Sequence, residues 1–287
     1  MPAAAAPVTE LPPFATDDVV PFLRASRYEE PWHEARLLET LRHMPAATGA
    51  QSVYVDVGTH PLLIHVFARV GGFRRAFGLN WDEDAAEPHR DVVVEEKAPA
   101  REQFRYRIFN ANLEWDALPF TDGCADVVTC LEVIEHLTSD PSHLLIELNR
   151  ILRPGGTLLL STPNIVSWRS ALQLARKQHP MGFLYFLPGH CTNRHNNEYT
   201  PAQIGSLLRS AGFEGDVRTI DAWTRPSVLE KARLVLAGFG RGDRGDCILA
   251  AVRKAGPPPA RYDPLVYQLT EAQLRENERI ELTYRER

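Results

Sequence analysis

The sequence predicts an α/β protein: a doubly wound, mostly parallel seven-stranded sheet with helices on both faces. Three observations carry that reading. Short apolar, β-branched runs alternate with amphipathic helical stretches from Ser52 to Arg253, the alternation that builds parallel sheets. The stretch Ala125–Asn164 reads by itself as strand, turn, helix, turn, strand. Its breaks fall where helix signals stand, with Pro141 at a first helical turn and Arg153-Pro154-Gly155-Gly156 as a stop.

Taken in order, residues 1–17 are rich in proline and alanine and are expected as a disordered tail. They lack the basic start of a secretion signal. Residues 18–50 form an N-terminal helical segment, in which Glu34–Met44 sets Leu37, Leu38, Leu41 and Met44 on one stripe. The main domain is expected over 51–254. Its strands are Ser52–Val57, Arg75–Leu79, Phe104–Phe109, Ala125–Cys130, Thr157–Ser161, Val217–Trp223 and Cys247–Arg253, the last two as an antiparallel pair. Helices follow at Leu62–Val70, at Pro141–Leu152 (Leu144, Leu145, Leu148 and Ile151 inward) and at Pro201–Ala211, which Thr200 caps. Between them, 165–199 holds a helical piece and an aromatic loop (MGFLYFLPGH), read as a lid or substrate segment. Residues 255–287 are a proline-rich linker and a C-terminal extension with a short helix around Glu271–Glu281.

Composition narrows the function. A chain of 287 residues with a net charge of −5 has no general attraction for phosphate backbones, which disfavours nucleic acid as the main partner. No apolar run approaches the ~20 residues of a membrane span. Cys124, Cys130, Cys191 and Cys247 show no paired spacing, so reduced thiols and a cytoplasmic location are expected.

The pattern DVVTCLEVIEHL, then LNRILRPGGTLLLSTPN, resembles the central half of class I S-adenosylmethionine-dependent methyltransferases. LPFTDGCADVV upstream and HNNEYTPAQIGSLLRSAGF downstream resemble that family's flanks. The resemblance spans about Ser52 to Phe213. It implies S-adenosylmethionine as cofactor, held by Asp56, Gly58, Thr59 and His60 at the first strand–helix turn. Asn80 and Trp81 would follow at the end of the second strand, then Asn112, Leu113 and Cys130. The match departs from the family at its glycine-rich loop, where His60 and Leu62 stand in place of glycines, and a side chain there takes up room that a close backbone approach would leave. At the second strand, Asn80 replaces the usual carboxylate and is a weaker acceptor of ribose hydroxyls. The proline after His60 and the Asn112-Leu113-Glu114 segment resemble the branch associated with polysaccharide biosynthesis.

The acidic turn EVIEHL follows a strand at the end of the sheet where ligands bind in such folds. Glu132, Glu135 and His136 can act as acid–base groups or take a hard divalent cation such as magnesium. A similar turn binds a metal in small-RNA 2′-O-methyltransferases and some quinone-pathway O-methyltransferases. By that resemblance His195 completes a set of Glu132, Glu135, His136 and His195. The function expected is O-methylation of a hydroxyl on a sugar, glycan or other small metabolite. The rivals are a catalytically inactive protein of the same fold that partners another enzyme, and a metal-dependent RNA 2′-O-methyltransferase.

Overall fold

The computed structural model describes residues 14–267 except 27, 29–32, 83–84, 97–101, 184–193, 225 and 241, and beyond them 272, 273 and 276. Most of the tail, most of the aromatic loop and most of the C-terminal helix expected from the sequence lie outside the described residues. The first element among the described residues is α1 (Thr16–Ala25), which starts at the end of the expected tail and runs into the expected helical segment, followed by α2 (Glu34–Leu41). Then come β1 (Val53–Val57), α3 (Pro61–Gly71), β2 (Arg75–Asn80), β3 (His89–Glu96), β4 (Glu102–Asn110) and β5 (Ala125–Leu131). A single 3-10 turn, Ile134–His136, leads to α4 (Pro141–Ile151), β6 (Leu152–Pro163), α5 (Trp168–Ala175) and α6 (Pro201–Ser210). The chain closes with β7 (Phe213–Ile220), α7 (Val228–Leu236), β8 (Cys247–Lys254) and α8 (Pro264–Tyr267).

The sheet has eight strands in the order β3-β4-β2-β1-β5-β6-β8-β7. The central β4, β2, β1, β5 and β6 are parallel; β3 and the β8–β7 pair add antiparallel edges. The eighth strand is the departure from expectation. Its His89–Glu96 run, HRDVVVEE, pairs only with β4 and leaves most of its side chains in water, so its apolar content is low for a strand.

Alternation along β1 sorts the two cores. Val53, Val55 and Val57 face α4 and α6, within a cluster that holds Leu144, Leu148, Ile204 and Leu208. Tyr54 faces the other way, into a cluster with α1, α2 and α3 that holds Val19, Leu37 and Phe67. Helices thus cover both faces, and every crest of the parallel strands points the same way. Among the described residues, no helix is long and apolar enough to cross a membrane.

Candidate active site

The crest of the parallel strands has a nucleotide-like end and a reacting end. At the first, the turn after β1 is locked from within. Asp56 is buried, and it accepts hydrogen bonds from Thr129 Oγ1 (2.5 Å) and the Tyr54 hydroxyl (3.2 Å). Burial pushes its carboxyl up to about 6, against the pull of those bonds. Thr59 donates to the carbonyl of Asp56 (2.6 Å) and fills the space above Gly78. Gly58 has a φ of 73°, and a Cβ there would meet Val133 Cγ2 at 2.4 Å. His60 caps α3: its Nδ1 accepts from the Leu62 amide at 3.2 Å. Leu62 packs into the α1–α3 core, away from the outer surface of the turn.

Next along the crest, Asn80 Oδ1 accepts from the Trp81 amide (3.1 Å). Asn110 bonds the backbone of Asp82 twice, at 2.8 and 2.9 Å. Asn80, Asp82, His89, Arg90 and Asn110 line a cavity of about 220 Å³. Asn112 sits just beyond, its Oδ1 accepting from the Glu114 amide at 2.9 Å. Two expected contacts turn inward: Leu113 is buried in the main core, and the Cys130 side chain is fully buried, its thiol pushed up by burial. Glu114 is also committed, because its carboxylate holds the backbone of Thr138 and Ser139 (2.9 and 2.5 Å).

At the reacting end β5 breaks sharply. Glu132 has a φ of 56°, a conformation that costs a non-glycine residue about 1–3 kcal/mol and collects at functional turns. Its carboxylate accepts from Ser161 Oγ (2.7 Å) and lies 3.7 Å from Arg36 Nε. Arg36 comes from α2, is buried, and donates to Ser161 Oγ (3.2 Å), while its Nε has no hydrogen-bond partner. Nothing in the sequence singled Arg36 out, since it lies beside the apolar stripe of an ordinary amphipathic helix and its contact is 125 positions away.

Glu135 is fully buried. Its Oε2 accepts from Thr162 Oγ1 (2.9 Å), and its Oε1 has no hydrogen-bond partner among the described residues. Burial first, then the charge of Glu132, pushes its carboxyl well above the usual range. The segment with His195 folds back onto this turn: the Asn196 and Asn197 amides donate to the Glu135 carbonyl at 2.8 and 3.2 Å, and Asn196 Nδ2 to the His136 carbonyl at 2.7 Å. The rings of His136 and His195 meet edge to face, centroids 5.0 Å apart. One ligand atom from each of Glu135, His136 and His195 lies within 4.8 Å of the others. Donors to one small divalent ion stand at most ~4.2 Å apart, so side-chain rotation of under ~1 Å would close the set. His195 Nδ1 is held at 2.9 Å by Glu198, a buried carboxylate that also meets Arg169 at 3.4 Å. A carboxylate behind a histidine is how metal-binding imidazoles are oriented. Three of the four residues expected at a metal are therefore together. Glu132 is the exception: its reversed backbone turns its carboxylate to Arg36 and Ser161, outside the group. Glu198 was missed, although its place three residues after His195 was the available signal.

A family model described as a methyltransferase domain matches residues 32–217, more than half of the chain. The chain belongs to that methyltransferase-domain family. It is 35% identical over 144 residues to a probable S-adenosylmethionine-dependent methyltransferase of Mycolicibacterium smegmatis, covering 49% of this chain and 44% of the relative. It is 32% identical over 110 residues to a ubiquinone biosynthesis O-methyltransferase of Maricaulis maris, covering 38% and 39%. The chain thus spans less than half the length of the curated relatives it matches. A crystal structure of an S-adenosylmethionine-dependent methyltransferase from Mesorhizobium loti aligns with a TM-score of 0.47 at 17% identity, over 77% of this chain and 99% of that one.

Proposed function

We propose that the chain is an S-adenosylmethionine-dependent O-methyltransferase acting on a hydroxyl of a small metabolite, a sugar among the candidates. The observation that carries this is the convergence of Glu135, His136 and His195 at the carboxyl end of β5, around a buried carboxylate oxygen without a hydrogen bond among the described residues. Family membership supplies the transfer chemistry, and the O-methyltransferase name of the Maricaulis relative supports oxygen as the acceptor. A sugar acceptor rests on the His60-Pro61 turn alone, because Glu114 of the Asn-x-Glu segment is occupied in holding its own loop.

The residues present fit the cofactor. Asn80 and Asn110 offer polar contacts to the adenosine end, and the buried Nε of Arg36, 3.7 Å from Glu132 and without a hydrogen bond among the described residues, is suited to a carboxylate. When bound, that cofactor supplies an electrophilic methyl group on sulfur. The chain's part is alignment and deprotonation. Glu135 and His136 would hold the acceptor hydroxyl and take its proton as the oxygen accepts the methyl group. Glu135, His136 and His195 also fit a divalent cation, which would lower the pKa of a bound hydroxyl.

Calorimetric titration with S-adenosylmethionine and its demethylated product, with and without magnesium, tests this. Micromolar binding is expected, with a magnesium-dependent change that His195→Ala abolishes. Folded protein that binds neither compound would overturn the reading in favour of an inactive member of the family. Binding and turnover unaffected by a chelator would remove the cation and leave His136 as the base.

A further inference from the structure

Two helices beside the reacting end keep an apolar face toward solvent. α5 and α7 pack through Trp168, Ala171 and Leu234, which satisfies the inward side of each. α7 nevertheless turns Val228, Leu229 and Leu236 outward, exposed by 86%, 62% and 88%. Val228, Ala232 and Leu236 lie four apart, on one stripe. Leu174 of α5 is half exposed as well. A water-facing helix places polar residues on such a stripe, so this one is built to meet something else.

The charge around it says what. Residues 168–178 and 228–236 hold five cations and one carboxylate, in a chain whose net charge is −5; Arg169 is paired with Glu198 and Lys231 with Asp221, which leaves Arg176, Lys177 and Arg233. The carboxylate, Glu230, is tied into the Ser227 capping box and lies within the influence of Arg176 and Arg233. Arg176, Lys177 and Arg233 are exposed. Apolar residues among exposed cations suit an anionic bilayer, where the stem of each cation lies along the apolar boundary.

We propose that the α5–α7 face docks on an anionic lipid surface. The docked element touches the site. Arg169 of α5 pairs with Glu198, and Glu198 holds His195, so the docking helix is linked to His195 through one buried carboxylate. This inference does not depend on the reaction, because lipid binding is measured without turnover.

The test is sedimentation of the full chain with vesicles of phosphatidylglycerol and phosphatidylcholine, against phosphatidylcholine alone, at low and high salt. Binding is expected only to the anionic vesicles and weaker at high salt. The double variant Leu229→Glu/Leu236→Glu should lose ~10-fold or more of it with an unchanged melting curve, since both side chains are exposed. Arg176→Glu/Lys177→Glu should weaken it to a lesser degree. Failure of the wild type to bind anionic vesicles overturns the proposal, as does equal binding by the leucine variant. A wild-type dimer that Leu229→Glu/Leu236→Glu splits, without vesicle binding, would assign the face to a second copy of the chain.

Discussion

Two buried polar clusters, one under α3 and one at the crest of the strands, are finished differently. Under α3, His65 bonds the Tyr106 hydroxyl (2.8 Å) and Glu96 (2.9 Å), and Arg69 Nε donates to Glu96 at 2.7 Å. None of its buried side-chain atoms is orphaned among the described residues. At the crest, Glu135 and Arg36 each keep a buried polar atom without a hydrogen bond. A buried polar atom left unpaired costs about 1–3 kcal/mol. The first cluster is closed and holds β3 and β4 to the helix; the second keeps two buried polar atoms open, as the proposed active site requires.

That contrast is sharpest under mutation. Glu135→Gln should lower turnover by roughly 10²–10⁴-fold while leaving denaturant stability within ~1 kcal/mol, because burial and Glu132 already disfavour the charged form of Glu135 in the folded state. Glu96→Ala should do the reverse. It strips His65 and Arg69 of a shared partner and should cost about 3 kcal/mol in urea unfolding, with cofactor affinity retained. A Glu135→Gln protein that unfolds easily, or a Glu96→Ala protein that stays stable, would erase the distinction.

How far this was legible in the sequence follows the same divide. The parallel strands, α4 and the EVIEHL turn announce themselves, because apolar runs and helix stops are local signals. So is the capping box that starts α6, where Thr200 and Gln203 bond each other's amides at 3.2 and 2.9 Å. The edge strand β3 and the outward stripe of α7 were hidden, since neither shows the periodicity of a half-buried element. Arg36 was hidden for another reason: it works through a contact that only the folded chain makes, 125 positions away, whereas Glu198 stands three residues from its partner and could have been read. Glu132 could be placed on the turn but not aimed, because its positive φ, which no residue type there demands, reverses the direction of its side chain.

Asp56 gives the next effect in size. Its carboxyl ionises near the usual 3.8 when unfolded and at about 6 when folded, so the folded chain keeps its proton longer. Its contribution is full below pH 3.8 and is lost as the pH rises through 6, by roughly 3 kcal/mol in all. Asp56→Asn should flatten the fall in stability between pH 4 and 6, measured by urea unfolding across that range. An unchanged slope would mean that the loss comes from other groups.

The smallest effect expected is at His60, and it separates two uses of one residue. By position it stands where a glycine would let a ligand come close; by geometry it is the cap of α3, with its ring accepting from the Leu62 amide. If the cap is its whole role, His60→Ala should cost about 1 kcal/mol of stability and leave the affinity for S-adenosylmethionine unchanged. If its ring crowds the ligand, the same variant should bind more tightly despite the lost cap. Melting and calorimetric titration of the one variant decide between them, because a lost cap lowers stability in either case and only crowding raises affinity.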